Sequence, residues 1–427
     1  MRPAHFFLPL ALAACSPGSD RDGARPNVLL ISIDTLRADR LGCYGYERDT
    51  SPNLDRFARE RAVRFELAVA ESSWTLPSHV TMLSGLHPLT HGAVIPSRAP
   101  SDDVEFLAET LTRAGYYAFG FTDGGWLSKG WGFDRGFRSF EAVDSDFTDC
   151  VDEALDYIRH RADKGPWFGF LHTYDVHCPY DPPEPWFSMF ASKEAEAIEV
   201  AGRCGNPHFN DMQLTEAQVR YLSDRYDGGI RWVDDALGKL FAHLDETNAW
   251  QDTIVIVTSD HGEEFGEHGQ IGHERTLHRE ALFVPLLIAM PGVEPGRVTS
   301  PVGLVDIVPT LLEAIGVEPE DRPEGTLDGT DLGQLLRHGG ADPRAERYSH
   351  LAWKEPLFSR VDGDEHVILG TEAAGGVARY ALDDVAQTED LCAGLSCAEL
   401  EAALRRVLEK RSLRARKTFV VDELEGR

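Results

Sequence analysis

Asn27-Val28-Leu29-Leu30-Ile31-Ser32-Ile33-Asp34 is a nearly continuous apolar run that ends in a carboxylate. A strand with one wet face alternates apolar and polar residues. A run without that alternation is the pattern of a strand covered on both faces, as inside a parallel sheet. Thr253-Ile254-Val255-Ile256-Val257-Thr258-Ser259-Asp260 repeats the pattern and also ends in aspartate. Tyr116 to Phe121 and Trp167 to Thr173 supply two more such runs. Amphipathic helices lie between them. Ser51-Pro52 opens one as cap and first-turn proline, with Leu54, Phe57, Ala58, Ala62 and Phe65 on one face. Val104 to Ala114 forms another ahead of Gly115, and Tyr226 to Leu244 a third, with Ile230, Val233, Leu237, Leu240, Phe241 and Leu244 inward. Strands alternating with helices predict an α/β fold, a large mostly parallel sheet sandwiched by helices.

The chain has 427 residues and 42% hydrophobic content, enough for a large domain and a smaller second unit. After Gly339 the texture changes. Arg347 to Trp353, Phe358 to Val361 and His366 to Leu369 read as short antiparallel strands, and Ala398 to Lys410 as a helix. We divide the chain into residues 1–14 as a secretory signal, 15–26 as a lipidated tether, 27–340 as the main domain and 341–427 as a C-terminal α+β subdomain. Asp181 to Thr215 mixes proline, glycine and charge, and reads as an insertion over the sheet edge that contributes to ligand recognition. A formal charge of −29 sets up a field that repels polyanions, so no nucleic-acid partner is expected.

Arg2 precedes the apolar run Phe6 to Ala14, and Leu12-Ala13-Ala14-Cys15 follows the form of a signal that ends in an acylated cysteine. The run is too short to span a bilayer. Ser16 to Gly23 then forms a polar tether. The expectation is an exported lipoprotein of the cell envelope, held on its membrane by a lipid anchor at Cys15. Of the seven cysteines, the other six are Cys43, Cys150, Cys178, Cys204, Cys392 and Cys397. An even number in an exported protein permits disulfides. Cys392 with Cys397 and Cys178 with Cys204 are the pairs that would close loops; isolated thiols are the alternative.

Ligands of an open α/β sheet bind beyond the carboxyl ends of its strands. Asp34 and Asp260 stand at two such ends, and His261 follows directly. Together with the hydroxyl of Thr75 they make a hard-oxygen and imidazole set suited to Zn²⁺ or Mn²⁺. Thr75 lies two residues ahead of Pro77, in the first turn of a helix through His79 to Leu83, where unpaired N–H groups favour an anion. Its competing role is a plain N-cap. His172, His268 and His278 read as structural. Glu263, Glu264 and Glu267 read as solvated loop charges or as partners of the site.

Trp74-Thr75-Leu76-Pro77-Ser78-His79-Val80-Thr81-Met82-Leu83-Ser84-Gly85 resembles the sulfatase signature C/S-x-P-S-R-x-x-x-L/M-T/S-G, with threonine in place of the modifiable cysteine or serine. Asn27 to Gly45, with its Leu41-Gly42-Cys43-Tyr44-Gly45 turn, resembles the opening metal-binding segment of the same family. Ser259-Asp260-His261-Gly262-Glu263, followed by Phe283-Val284-Pro285-Leu286-Leu287-Ile288 and Pro291-Gly292, resembles its second. Gly132 to Phe137 and Tyr380 to Leu391 resemble further stretches. The order of these segments resembles a sulfatase-like member of the alkaline phosphatase superfamily.

The departures carry equal weight. Sulfatases oxidise their cysteine or serine to formylglycine; threonine carries a methyl on Cβ, so no formylglycine is expected and Thr75 is an ordinary hydroxyl nucleophile. Thr35 stands where these enzymes keep a second calcium-binding aspartate, His79 in place of an arginine, His261 in place of an asparagine, and His273 near an expected lysine. These changes resemble the Thr/Asp/Asp/His site of phosphodiesterases and phosphoethanolamine transferases. The resemblance implies that His177 and His273 touch the transferred group. With Asp175 they either complete a second metal site or hydrogen-bond the anion and protonate the leaving oxygen.

The expectation is a metal-dependent hydrolase of a sulfate or phosphate ester, phosphate favoured, with one or two ions, Zn or Mn before Ca. Its substrate would be a small-molecule, glycan or lipid-headgroup ester. A phosphoethanolamine-type transferase and a non-catalytic anion-binding protein of the same fold, the latter motivated by Thr35, are the alternatives.

Overall fold

The computed structural model describes residues 25–143, 146–161, 164–200, 212–317, 327–341, 345–353, 356–370, 376–392, 397, 401–402, 404–407 and 409. The main sheet contains β1 (Asn27–Ile33), β2 (Val63–Val69), β3 (Tyr117–Thr122), β4 (Ser139–Ala142), β5 (Trp167–Thr173), β6 (Thr253–Thr258), β7 (Phe283–Ala289), β8 (Gly296–Val298) and β9 (Val302–Gly303). Its order is β8-β2-β7-β6-β1-β5-β3-β4, with β9 also on β2. All pairs are parallel except those made by β7, which runs antiparallel to both β2 and β6. The expected mostly parallel sheet is therefore what forms.

Both faces of β1 are covered, which explains its unbroken apolar run. Val28 and Leu30 enter one core with α2 (Thr75–Ser84), α3 (Leu107–Arg113) and α6 (Ile307–Ala314). Leu29, Ile31 and Ile33 enter the other with α1 (Pro52–Glu60), α4 (Phe147–Arg161) and α5 (Glu216–Glu246). Each fully buried aliphatic side chain contributes about 1.5–3 kcal/mol of transfer free energy, so these two cores hold the strand ends that present the site.

Some boundaries move for local reasons. The α3 helix starts at Leu107, after the Glu109 carboxylate accepts the backbone N–H of Phe106 at 2.9 Å. The α5 helix starts ten residues before the expected Tyr226, at a capping box in which Thr215 Oγ1 accepts from Gln218 N at 3.2 Å. The described residues of the segment after Asp181 lie against α5. Trp186 Nε1 donates to Asp235 at 2.8 Å, and Ser192 Oγ to Asp224 at 2.6 Å. Gly228 permits that approach, since a Cβ there would meet the Trp186 carbonyl oxygen at 2.4 Å.

The C-terminal unit carries a four-stranded antiparallel sheet, β10 (Arg347–Leu351), β11 (Leu357–Val361), β12 (Glu365–Leu369) and β13 (Val377–Ala381), in that order. It docks on the main domain through the Ser349 hydroxyl on the Ala70 carbonyl, 2.7 Å, and Arg347 on Asp306, 2.7 Å. Described residues of the expected Ala398 to Lys410 segment are helical. Cys392 and Cys397 form a disulfide, Cys178 is disulfide-bonded, and Cys43 and Cys150 are free thiols. Cys15 and Cys204 lie outside the described residues. Among the described residues no helix is long and apolar enough to cross a membrane.

Candidate active site

Strand register places the two carboxylates side by side. Ser32 of β1 pairs with Thr258 of β6, so Asp34 and Asp260, each two residues further on, leave adjacent strands at the same level. Asp34 N donates to Thr173 O at 3.0 Å, which carries β1 one step beyond its last strand residue. Thr35 then turns at φ +60°, a conformation that is rare and strained for a β-branched residue. Tyr226 holds that turn, its hydroxyl donating to Thr35 O at 2.7 Å and accepting from Arg37 N at 2.9 Å. The Thr35 hydroxyl donates to the Asp34 carbonyl at 2.7 Å, so it is spent on the turn.

Thr75 is the first residue of α2, whose ten residues are all buried. The N-cap is Trp74, so the plain-cap role considered for Thr75 is not the one it plays. Its Oγ1 lies 3.3 Å from Asp34 Oδ2 and 3.4 Å from His261 Nε2. His261 Nε2 is 3.2 Å from Asp260 Oδ2 and 3.9 Å from Asp34 Oδ1. The fold thus brings Asp34, Thr75, Asp260 and His261 together around one point.

This arrangement fits a divalent cation. Asp34, Asp260 and His261 offer ligand atoms within 4.8 Å of one another, and all three side chains are fully buried. Asp34 Oδ1 and Asp260 Oδ2 accept no aligned hydrogen bond, an expensive state for buried carboxylates without a compensating charge. Burial and the neighbouring Asp260 push Asp34 well above the carboxylate range. Burial would also raise Asp260, but His261 and His79 outweigh it and hold Asp260 low. Burial brings His261 down to about 4, which leaves it neutral. Its Nδ1 contacts the Gly262 carbonyl at 3.0 Å; assigning the proton there directs the Nε2 lone pair at the carboxylates.

Two more imidazoles crown the cluster. The His273 ring lies 4.5 Å from His261 and 5.1 Å from His177. His273 Nδ1 meets Glu263 Oε1 at 2.8 Å, and His177 Nδ1 meets the Cys178 carbonyl at 2.7 Å. Burial opposes charge on His273, but Glu263 overcomes it and raises the imidazole to about 9. Burial and the adjacent His273 lower His177. Glu263 and Glu264 are fully buried, which corrects their reading as solvated charges. Glu267 is bound to Arg37 at 2.6 Å.

Asp175 does not join these histidines as expected. Its Oδ2 accepts the Phe147 N–H at 2.7 Å and so caps α4. Among the described residues, Asp34, Asp260 and His261 are the one group of three that could hold an ion, and a second centre built from Asp175, His177 and His273 does not assemble. His268 and His278 stack on each other at 3.6 Å, apart from that group.

Beneath the carboxylates lies a buried layer of which the sequence marks only His79, as a departure from the sulfatase arginine. His79 Nδ1 bonds the Thr75 carbonyl at 3.0 Å and lies 3.3 Å from Asp260 Oδ2; its Nε2 meets the Ser32 hydroxyl at 2.9 Å. His172, set aside as structural, lies with Nε2 3.5 Å from Asp34 Oδ2. Its position on the strand beside β1, in the row of Ser32, is the signal that could have marked it.

Gly262 is a second sequence-visible feature with a structural reason. A Cβ there would fall 1.9 Å from the Glu280 carbonyl oxygen. Gly262→Ala is expected to push the Asp260–Gly262 turn off its seat at a cost of about 1–3 kcal/mol. Thermal unfolding together with metal content checks this. A variant that melts and retains metal like the parent would contradict it.

The family profile described as Sulfatase matches residues 26–317. The multifunctional alkaline phosphatase superfamily protein PehA of Trinickia caryophylli is 28% identical over 79% of this chain and 82% of that protein. An arylsulfatase of Clostridium perfringens is 25% identical over 70% of this chain and 77% of that one. The solved phosphonate monoester hydrolase SpPMH of Silicibacter pomeroyi superposes with a TM-score of 0.74 at 22% identity, covering 92% of this chain and 96% of that one, a likeness of fold. The profile spans more than half of the chain and takes in Asp34, Thr75, Asp260 and His261, so this chain belongs to the sulfatase family of the alkaline phosphatase superfamily and is an ester hydrolase.

Proposed function

We propose that the hydrolase uses the unmodified hydroxyl of Thr75 as its nucleophile and acts on a phosphate ester in preference to a sulfate ester. The observation that carries this is the Thr75 Oγ1 position, 3.3 Å from Asp34 Oδ2 and 3.4 Å from His261 Nε2 at the head of a buried helix. Asp34, Thr75, Asp260 and His261 would hold a divalent ion, Zn or Mn before Ca. Such an ion lowers the pKa of an adjacent hydroxyl and screens the charge of the transferred group.

Attack by Thr75 Oγ1 forms an O–P bond while the bond from phosphorus to the leaving oxygen breaks. The Thr75 proton passes to Asp34 Oδ2, its nearest hydrogen-bond acceptor, and returns to Oγ1 when the O–P bond is later broken. His273, kept positive by Glu263, holds the anion and returns a proton to the leaving oxygen. Neutral His177 lines the other side of the transferred group. Water then cleaves phosphothreonine, which releases phosphate and restores the hydroxyl. Relatives named for phosphonate monoesters, for aryl sulfates and for several activities together support a broad ester substrate, whether small molecule, glycan or lipid headgroup.

The test is a panel of phosphomonoester, phosphodiester, phosphonate and sulfate chromogenic substrates, with an acid quench and mass spectrometry of the Thr75 peptide. Phosphate turnover with a trapped phosphothreonine is expected; sulfate turnover alone would overturn the preference. We further infer that the enzyme works in the cell envelope, tethered through an acylated Cys15. Labelled palmitate is expected to enter the intact chain and not the Cys15→Ser variant; equal labelling would contradict the anchor.

A further inference from the structure

The His172 ring is fully buried, and neither of its nitrogens has a hydrogen-bond partner. An imidazole kept in that state costs about 1–3 kcal/mol unless its environment supplies compensation. Three directions around it are filled. His79 packs at 5.0 Å between ring centroids and Tyr174 at 4.6 Å, both edge to face, and the strand backbone lies behind. The carboxylate in contact with it is Asp34, whose Oδ2 is 3.5 Å from His172 Nε2.

Strand register makes this contact systematic. His172 on β5 pairs with Ser32 on β1. Side chains alternate along a strand, so Ser32 and Asp34 project to the same side, and the residue level with Ser32 on the neighbouring strand sits directly below Asp34. The same row receives His79, whose Nε2 bonds Ser32 and whose Nδ1 faces Asp260 Oδ2 at 3.3 Å. Each carboxylate of the ion-holding pair therefore has an imidazole beneath it. The one under Asp260 is anchored on both nitrogens; the one under Asp34 is anchored on neither.

We propose that His172 is a positioning residue for the metal centre: its Nε2–H faces Asp34 Oδ2, fixes the carboxylate orientation and thereby sets the affinity for the ion. This rests on the metal-centre reading above. A carboxylate that must present one oxygen to an ion and keep the other off it needs a donor on the second oxygen. Outer partners of this kind are worth 10–100-fold in metal affinity. The hydroxyl of Thr75 also approaches Asp34 Oδ2, at 3.3 Å, so the orientation of Asp34 bears on the nucleophile as well.

Two polar variants of different reach test the inference. The amide nitrogen of His172→Gln reaches the place of Nε2, whereas that of His172→Asn reaches only the place of Nδ1. The chelated full-length chains would be titrated with Zn²⁺ and with Mn²⁺ against a chromogenic chelator, and their metal-free melting temperatures compared. Expected are a 10–100-fold loss of affinity in His172→Asn, recovery to within about threefold in His172→Gln, and metal-free melting temperatures alike in the two. Parent-like affinity in His172→Asn would overturn the proposal. An equal loss in both variants would also overturn it, in favour of direct coordination or mere packing. A parent chain that retains neither ion would instead sink the metal-centre reading, a separable outcome.

Discussion

Thr75→Ala is expected to lower kcat/KM for the best ester substrate by at least about 10³-fold, towards the roughly 10⁶-fold seen when a nucleophile is removed outright. Thr75 begins a helix, and alanine is the strongest helix former, so the local backbone has no reason to change. The deleted Oγ1 makes no cap bond, and its 3.3 and 3.4 Å contacts are long for hydrogen bonds. Its removal therefore costs little folding free energy, and a metal-free melting temperature close to the metal-free parent's is expected. Thr75→Ser keeps the hydroxyl and loses only the methyl, so it should retain measurable turnover. These variants together separate nucleophile from scaffold. Full activity in Thr75→Ala would remove the covalent step from the mechanism, whereas loss in both Thr75→Ala and Thr75→Ser would point to the methyl and hence to packing.

How much of this was readable beforehand depended on whether the information was local. β1, β5 and β6 are apolar on both faces, and the sequence shows that directly. β7 is not among the expected strands, and it carries Pro285. Its place between β2 and β6 is tolerated because the register against β2 shifts at Pro285, between Phe65 and Ala68, a bulge where no ladder N–H is needed. Asp34, Asp260 and His261 were legible as strand-end residues, and Thr75 as a helix-start residue. Their convergence needed the register of β1 against β6, which no local pattern encodes. The burial of His172 and Glu263 beside the site depends on tertiary information of the same kind. A histidine in an apolar run and a glutamate in a loop look bland until the tertiary fold buries both beside charged neighbours. Asp175, grouped with His177 and His273 by resemblance, is taken instead by the start of α4, which it caps.

Removing the bound ion is expected to lower the melting temperature by several degrees. Where both are ionised, two carboxylates in a fully buried cluster repel by an amount on the order of 4 kcal/mol at 4 Å and an effective dielectric of 20. A ligand held at 100 times its Kd stabilises the folded state by about 2.7 kcal/mol. At about 2.1 cal/mol/K per residue, each kcal/mol shifts the midpoint of a domain of about 300 residues by roughly 1.5 °C, which gives a drop of about 4 °C on chelation. The sign of the pH dependence follows from Asp34. Its folded pKa is raised, so in the ion-free protein its favourable contribution is fully present below the unfolded carboxylate pKa and is lost as pH rises through the raised value. The loaded protein behaves oppositely, since its ligands must be deprotonated to hold the ion. The gap in melting temperature between loaded and chelated protein should therefore widen from pH 5 to pH 8. Asp260→Asn removes a ligand of the ion, so its gain in melting temperature on adding Zn²⁺ or Mn²⁺ should collapse. A gap that stays constant with pH, or an Asp260→Asn variant that gains as much from the ion as the parent, would mean that these carboxylates do not hold it.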